Sequence, residues 1–401
     1  MPNMLIAQSG GPTVAINASL AGAVRQAMLH SDIDCIYGAR NGVDGIIGER
    51  FVSLRPVFKC EGDFLSLERT PAMALGSCRH KLPARPDPVY GRIRDIFLDR
   101  GIKYFFYIGG NDSMDTVMNL SDYFLECGDQ IRCVGIPKTI DNDLPETDHC
   151  PGFGSAARYV AATTAEVAAD SAVYEAPSVT ILEIMGRNAG WLTASSALAR
   201  REGCLAPHII CFPELVFDPD AFLKRVKALT ESVRNVIVAA SEGIRLSDGQ
   251  YAGAASDKRD VFGNVPLSGA GKYLERLVKG GLGIKARSVE LNVLQRSASH
   301  LSSAADINEA RRIGAEAVDM AVRGETGVMA AFRRVSDEPY LVTYEPADIH
   351  GIANREKTVP REWISEDAAD VTESLLKYLR PLINDENGMG IAPFFYLDND
   401  I

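Results

Sequence analysis

The chain has 401 residues, 46% apolar and 24% charged side chains, and a formal net charge of −11. This length exceeds one ordinary domain core, which predicts two lobes. The acidic balance argues against nucleic acid as a main partner, and no apolar run reaches the roughly 20 residues of a membrane helix. Any anionic ligand must therefore meet a local cluster of cations and backbone amides.

The eight cysteines show no C-x-x-C pair and no metal-site spacing. We interpret them as reduced core thiols, which predicts a cytoplasmic protein. The N-terminus lacks the basic stretch and cleavage site of a secretory signal and is expected to form the first strand. The histidines, including His80, His149 and His300, have neither metal nor triad spacing and are expected to be structural.

Short apolar runs alternate with helical patterns along the chain. Strands are predicted at 4–7, 104–108, 133–137, 179–183, 208–212, 236–240 and 328–332, and helices at 14–28, 113–127, 153–173, 219–230, 269–278 and 305–322. This alternation predicts an α/β fold with mainly parallel sheets, in which ligands bind beyond the carboxyl ends of the strands. Residues 62–88 are expected to be exposed and partly irregular, and a helical pattern recurs near 364–382.

Glycine-rich turns follow two of the predicted strands. Segments 9–13 (SGGPT) and 109–113 (GGNDS) each precede a helix, where backbone N–H groups can approach an anion. Neither is a nucleotide P-loop or a dinucleotide fingerprint, so a plain tight turn remains an alternative for the first. Asp112 would repel an anion, which suggests that it helps to hold a metal or excludes a bulkier phosphate chain. The alternative is a helix N-cap at Asp112 or Ser113.

A dense polar loop, 137–143 (PKTIDND), follows the third predicted strand. Lys138 can neutralise phosphate, and Asp141 can accept a hydroxyl proton, as general-base catalysis requires. Asp143 can take a structural role beside it. A plain turn rarely carries so many polar groups, so we expect this loop to be part of a catalytic site.

Two further strand ends carry candidate residues. In 185–191 (MGRNAGW), Gly186 gives close backbone access and Arg187 can hold a phosphate with two hydrogen bonds, although an arginine on a solvated loop is the alternative. In 241–243 (SEG), Glu242 can accept hydrogen bonds from sugar hydroxyls. The arginines at positions 79, 287 and 296 are, by themselves, more typical of a charged surface than of a ligand site, and the last two lie near a strand-to-helix junction.

Taken together, these segments resemble the phosphofructokinase family. The matching segments keep the family's order over about residues 3–340 and comprise 10–11, 109–113, 137–143, 185–187, 241–243 and 294–296. The resemblance implies two similar Rossmann-like lobes with an active-site cleft between them. The donor would bind lobe 1–150, to which the chain returns at about 296–344, and fructose 6-phosphate would bind lobe 151–295. A C-terminal extension, 345–401, would brace one lobe.

On the acceptor side, the resemblance implies that Asp141 is the general base for the 1-hydroxyl of fructose 6-phosphate. The other residues that would contact this sugar or the transferring phosphoryl group are Thr139, Ile140, Met185, Gly186, Arg187, Glu242, Arg287, Val293, Leu294, Gln295 and Arg296. Arg287 would bind the sugar phosphate, in the family from a neighbouring subunit, and Arg296 would bind the same phosphate. A homodimer or homotetramer is therefore expected.

On the donor side, the resemblance assigns contacts to Gly11 and Arg79 and a catalytic role to Asp112 and Lys138. ATP-using members usually carry glycine where this chain has Asp112 and Lys138, whereas pyrophosphate-using members resemble this chain at both positions. Asp112 would repel the α-phosphate of ATP, and Lys138 would stabilise charge on the transferring phosphoryl group. The expected donor is therefore pyrophosphate, with Mg²⁺ as cofactor.

The chain departs from the family pattern at three places. Asn111 replaces a magnesium-binding aspartate, so the metal is expected to rest mostly on phosphate oxygens, with Asn111 contributing at most an uncharged contact. Val293 replaces a histidine on the sugar phosphate. The region after Gly11 lacks the arginine of the family's nucleotide effector site, so we expect weak or absent control by nucleotides.

Three alternatives remain open from the sequence. The chain could be an ATP-dependent phosphofructokinase, against which Asp112 and Lys138 argue. It could act on another sugar phosphate, such as sedoheptulose 7-phosphate. It could be a non-catalytic regulatory protein of the same fold, which should have lost Asp141 or Arg187, and both are present.

Overall fold

The computed structural model describes residues 2–200, 204–253 and 269–384. The chain divides into two compact units, each with its own sheet and core. Unit 1 comprises Met1–Ser155 and Arg296–Lys357, and unit 2 comprises Ala156–Gln295 and Thr358–Ile401. Within the described ranges, no helix is long and apolar enough to cross a membrane.

The secondary structure elements follow one another in an alternating order. The strands are β1 (Asn3–Gln8), β2 (Ile36–Ala39), β3 (Phe51–Ser53), β4 (Ile102–Gly109), β5 (Arg132–Pro137), β6 (Ser178–Ile184), β7 (Ile209–Cys211), β8 (Asn235–Ser241), β9 (Lys285–Glu290), β10 (Val328–Asp337) and β11 (Tyr340–Asp348). The helices are α1 (Ile16–Leu29), α2 (Gly42–Ile47), α3 (Glu61–Arg69), α4 (Pro88–Asp99), α5 (Asn111–Glu126), α6 (Phe153–Ala172), α7 (Trp191–Ser195), α8 (Pro219–Leu229), α9 (Ala270–Leu282), α10 (Leu294–Ser297), α11 (Ala304–Arg323) and α12 (Glu373–Leu379).

Unit 1 is built on a sheet with strand order β11-β10-β5-β4-β1-β2-β3. Its central pairs are parallel, and antiparallel strands β3 and β11 close the two edges. Met4 and Ile6 pack into one core while Leu5 and Ala7 pack into another, because successive side chains of β1 point to opposite faces. The parallel arrangement places the carboxyl ends of β1, β4 and β5 side by side.

Helices α1 and α11 cover one face of this sheet and approach each other closely at two glycines. A side chain on Gly22 would collide with the backbone carbonyl of Arg311, and one on Gly314 would collide with the carbonyl of Ser19. The two backbones therefore contact each other without intervening side chains, which fixes how α1 leaves the turn that follows β1.

Unit 2 is built on a parallel sheet with strand order β7-β8-β6-β9. Its core contains the inward-facing residues of these strands together with α8 and α9. An aromatic cluster joins α7 to the C-terminal part of the chain: Trp191 lies with ring centroids 6.1 Å from Trp363 and 5.4 Å from Tyr378. This sheet brings the ends of β6 and β8 together.

The predicted strands and helices are confirmed, with ends that differ by a few residues at most places. Strands β2, β3, β9 and β11 and helices α2 and α4 were not predicted, because short or alternating segments such as β9 (KARSVE) carry a weak apolar signal. Helix α3 also occupies the start of the segment that was expected to be irregular.

The chain after residue 345 was expected to brace one lobe, and the structure corrects this. Residues up to Lys357 belong to unit 1, and the chain from Thr358 belongs to unit 2. The reason is visible in the contacts: β11 ends in the unit 1 sheet, whereas Trp363 and Tyr378 pack on α7. Residues 385–401 of the predicted extension lie outside the described residues.

We predict that Gly22→Ala destabilises the protein, because its new methyl group collides with a backbone carbonyl that cannot move without shifting α11. Overpacking of this kind costs about 1–3 kcal/mol, which corresponds to a fall in Tm of roughly 3–10 °C. The control is Gly280→Ala in α9, where an added methyl group meets nothing within 4 Å. It should leave Tm unchanged or raise it slightly. Equal Tm values for both variants would contradict this packing.

Candidate active site

Lys138 is the central buried cation of unit 1. It follows β5 and is only 2% exposed, and its Nζ donates a hydrogen bond to the carbonyl oxygen of Gly11 at 2.6 Å. A side chain on Gly10 would place its Cβ 3.3 Å from the same Nζ. The turn after β1 therefore needs glycine to accommodate the lysine. Burial lowers the pKa of Lys138 to about 8, with Asp141 as the leading opposing influence.

The turn that presents Asp141 is fixed by its own backbone. Thr139 Oγ1 accepts a hydrogen bond from the Asp141 N–H at 3.1 Å. Asn142 adopts the left-handed conformation, with φ of 54°, and its buried side chain accepts a hydrogen bond from the Cys150 N–H at 3.0 Å. Asparagine tolerates this conformation better than most residues, so the turn is held in a single shape.

Two further residues of the loop, one apolar and one acidic, flank Asp141 and Asn142. Ile140 is buried and packs the loop against the unit. Asp143 is half-buried, and the burial of its carboxyl group raises its pKa. Its backbone carbonyl accepts a hydrogen bond from the Lys357 N–H at 2.7 Å. This hydrogen bond connects the loop to the C-terminal end of the segment Arg296–Lys357, the second part of the chain in unit 1.

Two arginines complete a group of cations near Gly11. A Cβ on Gly11 would lie 2.9 Å from Nη1 of Arg296, so the guanidinium occupies the space that the glycine leaves. Burial and the charge of Arg79 lower the pKa of Arg296, while Asp141 opposes this effect. Lys138, Arg79 and Arg296 thus supply the local positive charge that an acidic chain needs to receive an anion.

Asp112 lies on the first turn of α5. The N-cap of that helix is Gly110, so the alternative in which Asp112 or Ser113 is the N-cap is wrong. The Asp112 side chain is 82% exposed, and its Oδ1 lies 3.8 Å from Nζ of Lys81. A carboxylate here suits the helix dipole but faces any anion that approaches the helix start.

Asn111 is turned towards the C-terminal part of unit 1. Its side-chain oxygen accepts a hydrogen bond from the Asn354 N–H at 2.6 Å, and its side-chain nitrogen donates to the carbonyl of Arg355. Among the described residues, no group of three or more His, Cys, Asp or Glu side chains could hold a metal ion. A metal held mainly by phosphate oxygens, with a contact from Asn111, stays a prediction.

In unit 2, the turn after β8 holds the turn after β6. Gly186 adopts φ of 131°, its carbonyl accepts a hydrogen bond from Ser241 Oγ at 2.6 Å, and its N–H donates to Glu242 Oε1 at 3.4 Å. A side chain on Gly243 would collide with the carbonyl of Arg187. These contacts, together with the effect of the Arg187 charge on the pKa of Glu242, place Arg187 beside Glu242.

Glu242 is a carboxyl group with an unusual proton affinity. Burial raises its pKa to about 7, although the Gly186 N–H and the charge of Arg187 act in the opposite direction. Close to neutral pH this side chain can therefore accept hydrogen bonds as a carboxylate or donate one as an acid.

The segment 293–296 supports the same turn. Gln295 is 2% exposed, its side-chain oxygen accepts a hydrogen bond from the Met185 N–H at 3.3 Å, and its side-chain nitrogen donates to the Asn292 carbonyl. Val293 and Leu294 leave about half of their side chains exposed. Gln295 thus positions Met185, and its contact with a substrate stays a prediction.

Arg287 does not join the Arg187 group within unit 2. It pairs in register with Thr180 of β6, four residues before the strand ends, which corresponds to roughly 13 Å. Its guanidinium forms an ion pair with Asp170 at 2.7 Å and donates to the hydroxyls of Ser171 and Thr180. The sequence placed Arg287 near a strand-to-helix junction, and it lies within β9. Its role at a neighbouring subunit stays a prediction.

Two side chains of this site were missed from the sequence. Arg245 donates a hydrogen bond to Asn188 Oδ1 at 3.1 Å, and its guanidinium stacks 4.1 Å from the ring centroid of Tyr251. Glu214 accepts a hydrogen bond from the Gly190 N–H at 2.8 Å. Arg245 follows the SEG segment closely, which is a usable signal, but nothing in the sequence around Glu214 indicates its long-range partner.

Several known proteins are similar to this chain in sequence and fold. The phosphofructokinase family model matches residues 3–321. The pyrophosphate--fructose 6-phosphate 1-phosphotransferase of Halomonas elongata is 40% identical over 96% of this chain and 92% of its own. The sulfofructose kinase of Alkalicoccus urumqiensis is 30% identical over 91% and 92%. The pyrophosphate-dependent phosphofructokinase of Nitrosospira multiformis matches with a TM-score of 0.87 and 36% identity, over 99% and 95% of the two chains.

We predict that Glu242→Gln stabilises the protein more at pH 8 than at pH 5. The ordinary pKa of the group is 4.5, and the folded protein raises it to about 7. The wild type therefore loses stability as the pH rises through this window, by up to about 3 kcal/mol, whereas glutamine has no proton to lose. Thermal unfolding at both pH values measures the difference, with the exposed Glu231→Gln as control. A Tm difference that does not change with pH would contradict the assignment.

Proposed function

Because this chain belongs to the phosphofructokinase family, we propose that it transfers a phosphoryl group from pyrophosphate to the 1-hydroxyl of fructose 6-phosphate. The products are fructose 1,6-bisphosphate and phosphate, and the reaction is reversible. The observation that carries the proposal is the buried ammonium group of Lys138 with the charge of Asp141 acting on it, both in the loop that follows β5 of unit 1. The 40% identical relatives that bear this activity in their names support the choice of donor.

Asp141 acts as the general base. Its carboxylate takes the proton from the 1-hydroxyl while that oxygen forms a bond to the terminal phosphorus of pyrophosphate, and the bond to the leaving phosphate breaks. General-base catalysis of this kind contributes about 10²–10⁴-fold. The turn around Asn142 supports the role, because its hydrogen bonds define the backbone from which the Asp141 side chain projects.

The cations of unit 1 stabilise the negative charge of the transferring group. Lys138 is buried, so its charge is weakly screened and acts more strongly than a surface lysine would. Arg296 and Arg79 extend the positive region around Gly11. Arg187 takes the role that the family resemblance implies, contact with fructose 6-phosphate and the transferring phosphoryl group, and Glu242 beside it accepts hydrogen bonds from the sugar.

Asp112 determines the length of the donor. Its carboxylate is exposed at the start of α5, where the donor phosphates would meet the helix N-terminus. Pyrophosphate ends before this carboxylate, whereas a nucleotide chain would bring another phosphate against it. Mg²⁺, when bound, would neutralise the donor oxygens. The amide oxygen of Asn111 already accepts a hydrogen bond from the Asn354 N–H, and its second lone pair would be the one to contact the metal or its water.

The acceptor has a second candidate. One relative, 30% identical over 91% of this chain, is named sulfofructose kinase. Its name indicates a sulfonated sugar as acceptor, so a sulfonated sugar is the second candidate for this chain. Sedoheptulose 7-phosphate is a further option that a substrate panel would separate. We also propose a cytoplasmic homodimer or homotetramer, with Arg287 at a subunit contact.

We predict that the wild-type enzyme uses pyrophosphate with fructose 6-phosphate and Mg²⁺ and is essentially inactive with ATP at equal concentration. Asp112→Gly should raise the rate with ATP while it retains pyrophosphate activity, because it removes the like charge. Initial rates with both donors measure this, and Asp95→Gly on α4 serves as a control for loss of a carboxylate on a helix surface. If ATP is the better donor of the wild type, the assignment of pyrophosphate fails, while the fold and the base Asp141 remain.

A further inference from the structure

The loop after β6, residues 185–190, is held by residues that follow each of the three other strands of the unit 2 sheet. Gln295, after β9, accepts from the Met185 N–H, and Glu242, after β8, accepts from the Gly186 N–H. Glu214, after β7, accepts from the Gly190 N–H. Glu242 has a role in the proposed chemistry, whereas no role has been assigned to Glu214.

Glu214 makes two hydrogen bonds through one oxygen. Its Oε1 accepts from the Gly190 N–H at 2.8 Å and from the Val359 N–H at 2.9 Å. Its Oε2 is buried and has no hydrogen-bond partner in the part of the chain that the structure describes. One carboxylate therefore joins the end of the Arg187 loop to the C-terminal segment 358–384, which packs on α7 through its aromatic residues.

The contact with Gly190 depends on the absence of a side chain. A Cβ at this position would lie 2.7 Å from Oε2 of Glu214. Gly190 has φ of −87° and ψ of 15°, which any residue can adopt, so glycine is required here for space and not for backbone conformation. The chain therefore combines a carboxylate at position 214 with a glycine at position 190 that leaves space for it.

This arrangement is costly for stability alone. A carboxyl group in a poorly solvated place with one oxygen unpaired loses hydration that two neutral N–H donors replace only in part. Burial accordingly raises the pKa of Glu214. In the described residues no cation forms an ion pair with it. What the fold gains is a fixed position for Gly190, three residues after Arg187.

We propose that Glu214 is a positioning residue for the acceptor site. It holds the C-terminal end of the 185–190 loop through Gly190, and this contact directs Arg187 towards the bound acceptor. The identity of that acceptor rests on the proposed function. Ser241 and Glu242 hold the first end of the loop, and Arg245 holds Asn188 in the middle. Loss of Glu214 should therefore weaken acceptor binding without abolishing it.

Steady-state kinetics of the full-length enzyme test the proposal. Glu214→Ala removes both hydrogen bonds and should raise the KM for fructose 6-phosphate by about tenfold or more, because small misplacements of a binding group have effects of this size. The KM for pyrophosphate should rise less than the KM for fructose 6-phosphate, because the cations of unit 1 also bind this donor. Glu214→Gln keeps an oxygen for the two N–H donors and should restore most of the affinity. Glu231→Ala, an exposed carboxylate of the same unit, is the matched control.

Hydrogen exchange of the substrate-free protein gives a second measurement that needs no activity. Glu214→Ala should speed amide exchange in the 185–191 region, and Glu231→Ala should not. If wild type does not react with fructose 6-phosphate and pyrophosphate, the proposed function fails, and the exchange result alone decides whether Glu214 positions the loop.

Two outcomes would overturn the positioning role. One is a Glu214→Ala enzyme with wild-type KM for fructose 6-phosphate and unchanged exchange. The other is an equal loss for both substrates together with a large fall in Tm, because that result describes a residue needed only for folding.

Discussion

The burial of one ammonium group organises unit 1. Lys138 is almost fully removed from water, and a charge in that position must be compensated by nearby dipoles and carboxylates. The Gly11 carbonyl and Asp141 provide this compensation. The same requirement explains why the turn after β1 carries glycines, since side chains there would meet Lys138 and Arg296.

The two units position their functional loops in the same way. Parallel strands place their carboxyl ends side by side, so that short loops from distant parts of the sequence meet at one edge. In unit 1 these loops gather cations and a base, and in unit 2 they hold Arg187 and Glu242 through backbone hydrogen bonds. Close glycine contacts, such as Gly243 against Arg187, replace side-chain packing at these edges. The loops are thus held by hydrogen bonds and close backbone contacts, which favours catalysis through position and charge.

Much of this was predictable from sequence, for identifiable reasons. Buried parallel strands such as β4 are continuous apolar runs, and the loops that follow them carry dense polar strings such as PKTIDND. The edge strands β9 and β11 mix polar and apolar residues, so the sequence gave little indication that they form strands. Side-chain orientation was also out of reach: Asn111 binds the backbone near Arg355, and Glu214 pairs with residues far along the chain. Such contacts depend on tertiary packing that no local pattern encodes.

The binding of pyrophosphate to Lys138 variants tests the central claim most directly. Titration calorimetry with Mg²⁺ and pyrophosphate across pH 7–9 would compare wild type, Lys138→Met and Lys227→Met, the last changing an exposed lysine of α8. The account predicts that Lys138→Met binds pyrophosphate at least tenfold more weakly. It should also lack the loss of affinity that wild type shows above the pKa of about 8. Wild-type affinity and an unchanged pH profile in Lys138→Met would contradict the account.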